Sequence, residues 1–422
     1  MTFTRLLYSL AKLISQDIYA RDFTVTDIPA SQFTHIVYSF MNVNSSTGEV
    51  YVLSFVLFLP FPSPFPQSNN PSFLSDEWAD LQYAYPSDNT SANGTNLYGN
   101  IKQLYLLKKK NRTLKTMFSI GGYTYSPNFV TPLASPALRA NLARSAVKLM
   151  YNLGFDGINI DYEYVTDSTQ AKQLTSLLKS IRQEMNTYAK NTSSSPFLLS
   201  FASPAGPLKY TLLDFKGMDR YLDFWDFMGF DYAGSWDTIA GHQANLFGSH
   251  QNEVDVNTTS GIEYYTETGC IAPSKINLGC PLYGRSFNNT KGPGTNFSGI
   301  GTEGSFGEAG VWDYKALPIS GFNANVVELP EIGASYSLDK AQGYMVSYDT
   351  PKIAAEKAAW VEEIGLGGTM WWEVSMDKTG SESLVGATVT VYGGKGGLEK
   401  SQNHLSYPLS EYDNLRNGFP SE

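Results

Sequence analysis

Apolar positions along this chain switch repeatedly between two periods. Short apolar or alternating runs at Thr34–Phe40, Leu114–Ile120, Phe197–Ser203, Phe224–Tyr232, Ile276–Tyr283 and Gly368–Glu373 read as strands. Between them the spacing lengthens to that of helices. Asn100–Lys110 is one. In the next, Ser135 is an N-cap with Pro136 at the first helical position, Leu138, Leu142, Ala146, Leu149 and Leu153 line one face, and Gly154 ends the helix. Leu174, Leu178, Ile181, Met185 and Tyr188 mark a third, and Pro351–Ile364 a last. Strands alternating with helices predict an α/β protein with a parallel sheet. Polar groups gather just after the strand ends, which predicts a (β/α)8 TIM barrel with its site at the C-terminal rim.

The alternation breaks between Asn288 and about Gly343, where glycine and short alternating runs dominate. This reads as a small α+β insertion domain after the seventh strand. The predicted division is a barrel over 17–287, the insertion over 288–345, the rest of the barrel over 346–395, and a tail over 396–422 that covers the barrel surface. Two segments do not fit. Residues 52–73 are apolar and proline-rich, including Phe55-Val56-Leu57-Phe58-Leu59-Pro60, and read either as translated intron or as a hydrophobic lid. Residues 1–16 read as helical, so the barrel lacks a first strand unless Thr2–Leu7 supplies one; a missing strand would leave two open sheet edges.

One strand carries chemistry. In Phe155-Asp156-Gly157-Ile158-Asn159-Ile160-Asp161-Tyr162-Glu163-Tyr164, the apolar Ile158, Ile160 and Tyr162 alternate with Gly157, Asn159, Asp161 and Glu163. Alternate side chains of a strand point to opposite faces. One face therefore carries Asn, Asp and Glu in a row. The plain alternative is a solvated strand edge. A parallel strand between two helices is covered on both faces, however, and a polar row enclosed by protein is costly unless it serves a function.

The row resembles the DGxDxDxE signature of family 18 glycoside hydrolases, the chitinases. Ser119-Ile120-Gly121-Gly122 resembles that family's SxGG motif, and Met228-Gly229-Phe230-Asp231-Tyr232 its MxYD motif. Pro281–Phe287 and Gly367–Glu373 resemble its last two strand ends. The likeness to the fungal chitinases runs from about Asp17 to the C-terminus. It implies hydrolysis of β-1,4 N-acetylglucosamine linkages in chitin and chitooligosaccharides, with retention of configuration. Glu163 would be the general acid, with its pKa raised by burial and by Asp161. The substrate's own acetamide oxygen would be the nucleophile. Asp161 would orient and polarise the acetamide, and Asp231 would help position it. Tyr283 and Arg285 match sugar contacts and Trp372 the aromatic floor. Asn159, Phe230, Tyr232, Tyr123, Phe40 and Met228 complete the expected cleft. Ser119 would hydrogen-bond into the polar row. Trp371, on the opposite face from Trp372, is expected in the core.

The chain also departs from the family. Asn159 stands where Asp is usual, which should alter how Asp161 and Glu163 titrate together. Tyr162 replaces a frequent Trp but points outward. Phe230 replaces a Tyr whose hydroxyl would donate to the acetamide. Tyr123 replaces a Trp of the cleft. Asn159 and Phe230 motivate a second reading, a chitin-binding protein with weak or no catalysis. A third is an enzyme on another N-acetylglucosamine-containing glycan, and a fourth a chain that the misfit segments keep from folding.

Composition narrows the rest. The 422 residues carry a net charge of −10, which argues against a nucleic-acid partner. Aromatic residues are 14% of the chain, compatible with a sugar cleft or simply a large core. Cys270 and Cys280 make no disulfide framework; Cys280 reads as a small core residue, and a bridge between the two stays open. Four scattered histidines show no metal-ligand spacing, so neither metal nor cofactor is expected. No stretch is long and apolar enough to span a bilayer. The resemblance implies a monomer outside the cell or in the cell wall. The N-terminus makes a poor secretory signal, and sequons at Asn44, Asn93, Asn111, Asn257 and Asn296 are weak support for secretion.

Overall fold

The computed structural model describes residues 7–14, 21–51, 76–91, 93–301 and 304–420. The 52–73 segment, and with it both readings of that segment, lies outside the described residues.

Eight parallel strands close a barrel: β1 (Tyr8–Ile14), β2 (His35–Val43), β3 (Lys115–Gly121), β4 (Gly157–Asp161), β5 (Leu198–Pro204), β6 (Phe224–Met228), β7 (Ile276–Pro281) and, last in the chain, Gly368–Trp372. Each pairs with its sequence neighbour, and β1 pairs with both β2 and Gly368–Trp372, which shuts the ring. Five strands build a second, antiparallel sheet: β8 (Tyr283–Phe287), β9 (Val311–Asp313), β10 (Asn325–Leu329), β11 (Ala334–Asp339) and β12 (Tyr344–Ser347). The closing barrel strand Gly368–Trp372 is thus β13.

The first strand corrects the sequence reading. Residues 8–14 are not helical, and the barrel starts before residue 17. Leu7, Leu10 and Leu13 lie three apart, which imitates a helix face. In the strand they divide by period two: Leu10 enters a cluster inside the barrel with Val37, Met117, Phe224 and Met370, while Leu7 and Leu13 join the large core between barrel and helices. Lys12, on the face of Leu10, is buried inside the barrel at 2% exposure, where a sequence pattern would place an apolar residue.

The outer helices form where the spacing predicts, and one of them has the caps its sequence announces. Helix α1 covers Gly99–Lys110. Helix α2 (Pro136–Leu153) starts with the Ser135 hydroxyl accepting from the Leu138 N–H and ends at Gly154, whose φ of 79° is left-handed. Its buried stripe is Leu142, Ala146, Met150 and Leu153, with Leu138 and Leu149 at its half-buried margin. Helix α3 (Ser168–Thr192) is capped by Asp167, which accepts from the Thr169 and Gln170 N–H groups, and buries Leu174, Leu178, Ile181, Met185 and Tyr188.

The lower end of the barrel is tied off by the chain's last residues. Asp156 accepts from the Thr116 N–H at 2.7 Å, from Lys108 Nζ at 3.0 Å and from the His404 N–H at 2.7 Å. The Asn403 amide donates to the carbonyls of Lys108, Asn111 and Leu114. The first acid of the Asp156–Glu163 segment is therefore structural, at the opposite end of the strand from Glu163. Cys270 and Cys280 are both free, with Cys280 buried.

Candidate active site

The barrel interior is layered. Above the apolar cluster lies a belt of polar side chains, each from a different strand. Ser119 Oγ donates to Asn159 Oδ1 at 2.7 Å. Asn159 Nδ2 donates to Ser200 Oγ at 2.8 Å and to Asp226 Oδ2 at 3.1 Å. Asn277 Nδ2 donates to Asp226 Oδ1 at 3.2 Å. Both the oxygen and the nitrogen of the Asn159 side chain are engaged, so the buried amide is satisfied.

This corrects the expected role of Asn159. Its amide bonds Ser119, Ser200 and Asp226, not Asp161, so the carboxyl it couples to is Asp226. Burial raises the Asp226 pKa to about 6, against the opposing effects of Lys12, Asn277 and Ser200. An aspartate at 159 would replace a donor by an acceptor about one hydrogen bond from Asp226, and the two would have to share a proton. The carboxyl that keeps the shared proton has a folded pKa above its unfolded value, so its favourable contribution is complete at low pH and lost as pH rises through the folded value. Asn159→Asp is therefore expected to lower stability little at pH 5 and by about 1–3 kcal/mol at pH 8. Thermal melts at the two pH values check this; an equal loss at both would contradict the shared proton.

Asp161 and Glu163 stand where β4 ends. Asp161 Oδ2 accepts from Lys12 Nζ at 2.6 Å, both groups being 2% exposed. Its Oδ1 is buried with no hydrogen-bond partner among the described residues. Glu163 is half-buried; its N–H donates to Ser126 Oγ at 2.7 Å, and Tyr164, next in the chain, acts on its carboxyl. Burial, and then the charges of Asp161 and Asp231, raise its pKa to about 8, with Tyr164 and Lys12 pulling the other way. A carboxyl in this state holds its proton at neutral pH and can donate it.

The strand ends around this acid are shaped for close approach. Gly121 has φ 112°, and a Cβ there would lie 2.1 Å from the Asp161 carbonyl oxygen. Gly122 has φ 72°, and its Cβ would strike the Phe40 ring. Phe40 in turn lies against Trp372, ring centroids 5.6 Å apart. Trp371 is fully buried in the main core while Trp372 is only partly covered, as alternation predicts.

Asp231 follows β6 at a left-handed φ of 62°. Its Oδ1 accepts from the Tyr283 hydroxyl at 2.5 Å and from Arg285 Nε at 2.6 Å, joining three of the expected residues in one cluster. The Arg285 guanidinium also faces the half-exposed Trp236 ring at 4.8 Å. Phe230 packs edge-on to Tyr283 with centroids 6.2 Å apart. Met228 lies at the end of β6, 9% exposed, and Tyr123 stands out at the rim, 78% exposed.

Tyr232 departs from the expectation. It packs into the core with its hydroxyl on Thr258 Oγ1 at 2.9 Å. The left-handed turn at Asp231 sends the next side chain inward, away from the rim. Tyr162 does point outward, against Phe129, with its hydroxyl donating to Gln170.

Four residues near the acid escape the sequence reading: Lys12, Asp226, Ser126 and Tyr164. Tyr164 has a signal, since it adjoins Glu163 in the chain. The others come from distant strands or loops and leave no local mark.

A closed (β/α)8 barrel with a proton-holding carboxyl and an adjacent carboxylate at its C-terminal mouth defines the class of barrel glycoside hydrolases. The chain belongs to glycosyl hydrolases family 18, which it matches over residues 14–377. It is 42% identical over 405 residues to Chitinase 1 of Aphanocladium album, covering 95% of this chain and 88% of that protein. It is 41% identical over 402 residues to Endochitinase 1 of Metarhizium robertsii, covering 94% and 88%. The catalytic domain of a psychrophilic chitinase B from Arthrobacter superposes with a TM-score of 0.81 at 26% identity, over 94% of this chain and 98% of that one.

Proposed function

We infer that this protein is a chitinase that hydrolyses β-1,4 N-acetylglucosamine linkages in chitin and chitooligosaccharides with retention of configuration. The observation that carries this reading is the pairing of Glu163, its proton held up to about pH 8, with a buried Asp161 whose Oδ1 is unengaged by protein among the described residues.

The reaction runs in two steps. Glu163 donates its proton to the glycosidic oxygen, the bond from that oxygen to the anomeric carbon breaks, and the leaving sugar departs as an alcohol. The acetamide oxygen of the remaining sugar bonds to the anomeric carbon from the opposite face. Positive charge develops on the acetamide, and its N–H donates to the Asp161 carboxylate. Water then attacks the anomeric carbon from the first face and gives its proton to the Glu163 carboxylate, which restores the acid, while the bond from the acetamide oxygen to the anomeric carbon breaks and the neutral acetamide re-forms. Two inversions give net retention. Trp372 lies beneath the reacting sugar with Phe40 behind it. Asp231, held by Tyr283 and Arg285, adds negative charge on the other side of the acid and contacts the acetamide. Tyr123 and Met228 border the sugar.

The small sheet beginning at β8 supports a deep cleft, since Tyr283 and Arg285 reach Asp231 from it. Arg21 strengthens that wall: it donates to Asp313 on β9 at 3.0 Å and to Glu373 beside β13 at 3.0 Å. A monomer acting outside the cell or in the cell wall fits the insoluble substrate; among the described residues no helix is long and apolar enough to cross a membrane. The binding-only alternative is not favoured: the acid and its partner are both present, and the similar proteins are chitinases and endochitinases over most of their length.

Phe230 tests the account of the acetamide. Phe230→Tyr supplies a hydroxyl beside Tyr283 that can hold the acetamide in its attacking orientation, and is expected to raise kcat by about tenfold through positioning of the nucleophile. Steady-state kinetics on chitotetraose measure it; an unchanged kcat would show that the missing hydroxyl limits nothing.

A further inference from the structure

We propose that Lys12 is a positioning residue of the hydrolytic reaction, holding the Asp161 side chain in one orientation beneath the reacting sugar. The proposal rests on the chitin-hydrolysing reading and extends it to a residue on the first strand.

The geometry is specific. Lys12 Nζ lies 2.6 Å from Asp161 Oδ2, and among the described residues it is the one cation paired with that carboxylate. It also lies 5.3 Å from the centroids of both Phe40 and Trp372, so it sits directly beneath the aromatic floor. A buried ammonium is tolerated only with a partner, and a buried carboxylate likewise. The pairing consumes Oδ2 and leaves Oδ1, the oxygen without a partner among the described residues, to receive a substrate N–H. Without the ammonium, the buried Asp161 would stand beside Glu163 and Asp226 with no paired cation among the described residues to fix its rotamer.

Charge accounting in the barrel agrees. The groups facing Glu163 are Asp161 on its own strand, Asp231 after β6, the Tyr164 hydroxyl and Lys12 on β1. Those acting on Asp226 include Lys12 and Asp161. Lys12 is the one cation common to both sets, and it opposes the effect of burial on each acid. Asn159, neutral and bonded within the polar belt, adds no charge. The interior thus combines one ammonium with the Asp161 carboxylate while Glu163 keeps its proton.

The test is a double-mutant cycle on chitotetraose hydrolysis, with kcat, KM and the pH profile measured for Lys12→Met, Asp161→Asn and the double variant. Parent turnover tests the chitinase reading on its own; the ratios among variants test Lys12. Lys12→Met is expected to lower kcat by at least about tenfold, the size of effect that follows from misplacing a reacting group, with KM changing little. Its alkaline limb is expected to move to higher pH, because a group that favours the ionised form of Glu163 has gone. The double variant is expected to lose no more than Asp161→Asn alone, since Lys12 acts through Asp161. It removes both charges of the pair and so leaves no buried charge unpaired, and its comparison with Asp161→Asn holds whatever the yield of folded Lys12→Met. Independent, multiplicative losses in the double variant, or a folded Lys12→Met with parental kcat and an unmoved alkaline limb, would overturn the proposal.

Discussion

Glu163→Gln is expected to reduce turnover of chitooligosaccharides by about 10³–10⁴, the upper part of the range for loss of a positioned acid. The amide cannot give a proton to the glycosidic oxygen, and no second acid among the described residues stands ready to replace it. Asp161 is held by Lys12, and Asp231 by Tyr283 and Arg285. Binding should survive, because Trp372, Asp231 and Arg285 are untouched. The same variant makes a second, independent statement. The raised pKa of Glu163, about 8, means that the folded protein binds a proton there more tightly than the unfolded chain does. The contribution of this group is therefore complete below about pH 4.5 and is lost as pH rises toward 8. Glutamine is neutral throughout. Glu163→Gln should melt with the parent near pH 4.5 and at a higher temperature than the parent near pH 8. A loss of activity without that pH-dependent gain in stability would point to misfolding rather than to a missing proton.

Asp161→Asn is the second large effect, expected at about 10²–10³ in kcat. The asparagine side chain fits the space, but it removes the negative charge next to the developing cation, and its cost is that of an electrostatic contact made chiefly in the transition state. It also strands the Lys12 ammonium, 2% exposed, without its partner. Stability should therefore fall together with kcat, while KM changes less than kcat. Kinetics and melts on the same preparation separate the two. A variant with unchanged kcat would remove Asp161 from the mechanism.

The acid row is legible in the chain because it is local. Asn159, Asp161 and Glu163 are two residues apart on one strand, and the helix before it announces its own ends through Ser135 with Pro136 and Gly154. What the strand face meets is another matter. Lys12 and Asp161 are 149 positions apart, and Asn159 and Asp226 are 67 apart. Nothing near Lys12 in sequence marks it as a barrel residue; its charge, and leucines three apart, argue for an exposed helix. The closed barrel overrides that local pattern, because a strand at this place completes both open edges and a carboxylate waits inside. Tyr232 misleads for a related reason. Two-residue alternation does not extend past Met228, where β6 ends, and the left-handed backbone at Asp231 resets which way the next side chain points. Asn159 is recognisable as a departure, but its partner Asp226 is not, since that contact exists only once the strands are side by side.

The most direct test of the central claim follows the anomer released when the purified protein cuts chitotetraose, by proton NMR at early times, with Glu163→Gln in parallel. The account predicts shorter oligomers with the β configuration at the new reducing end, changing to the equilibrium mixture only later, and no release by the variant. Initial α product, or undiminished release by Glu163→Gln, would contradict it.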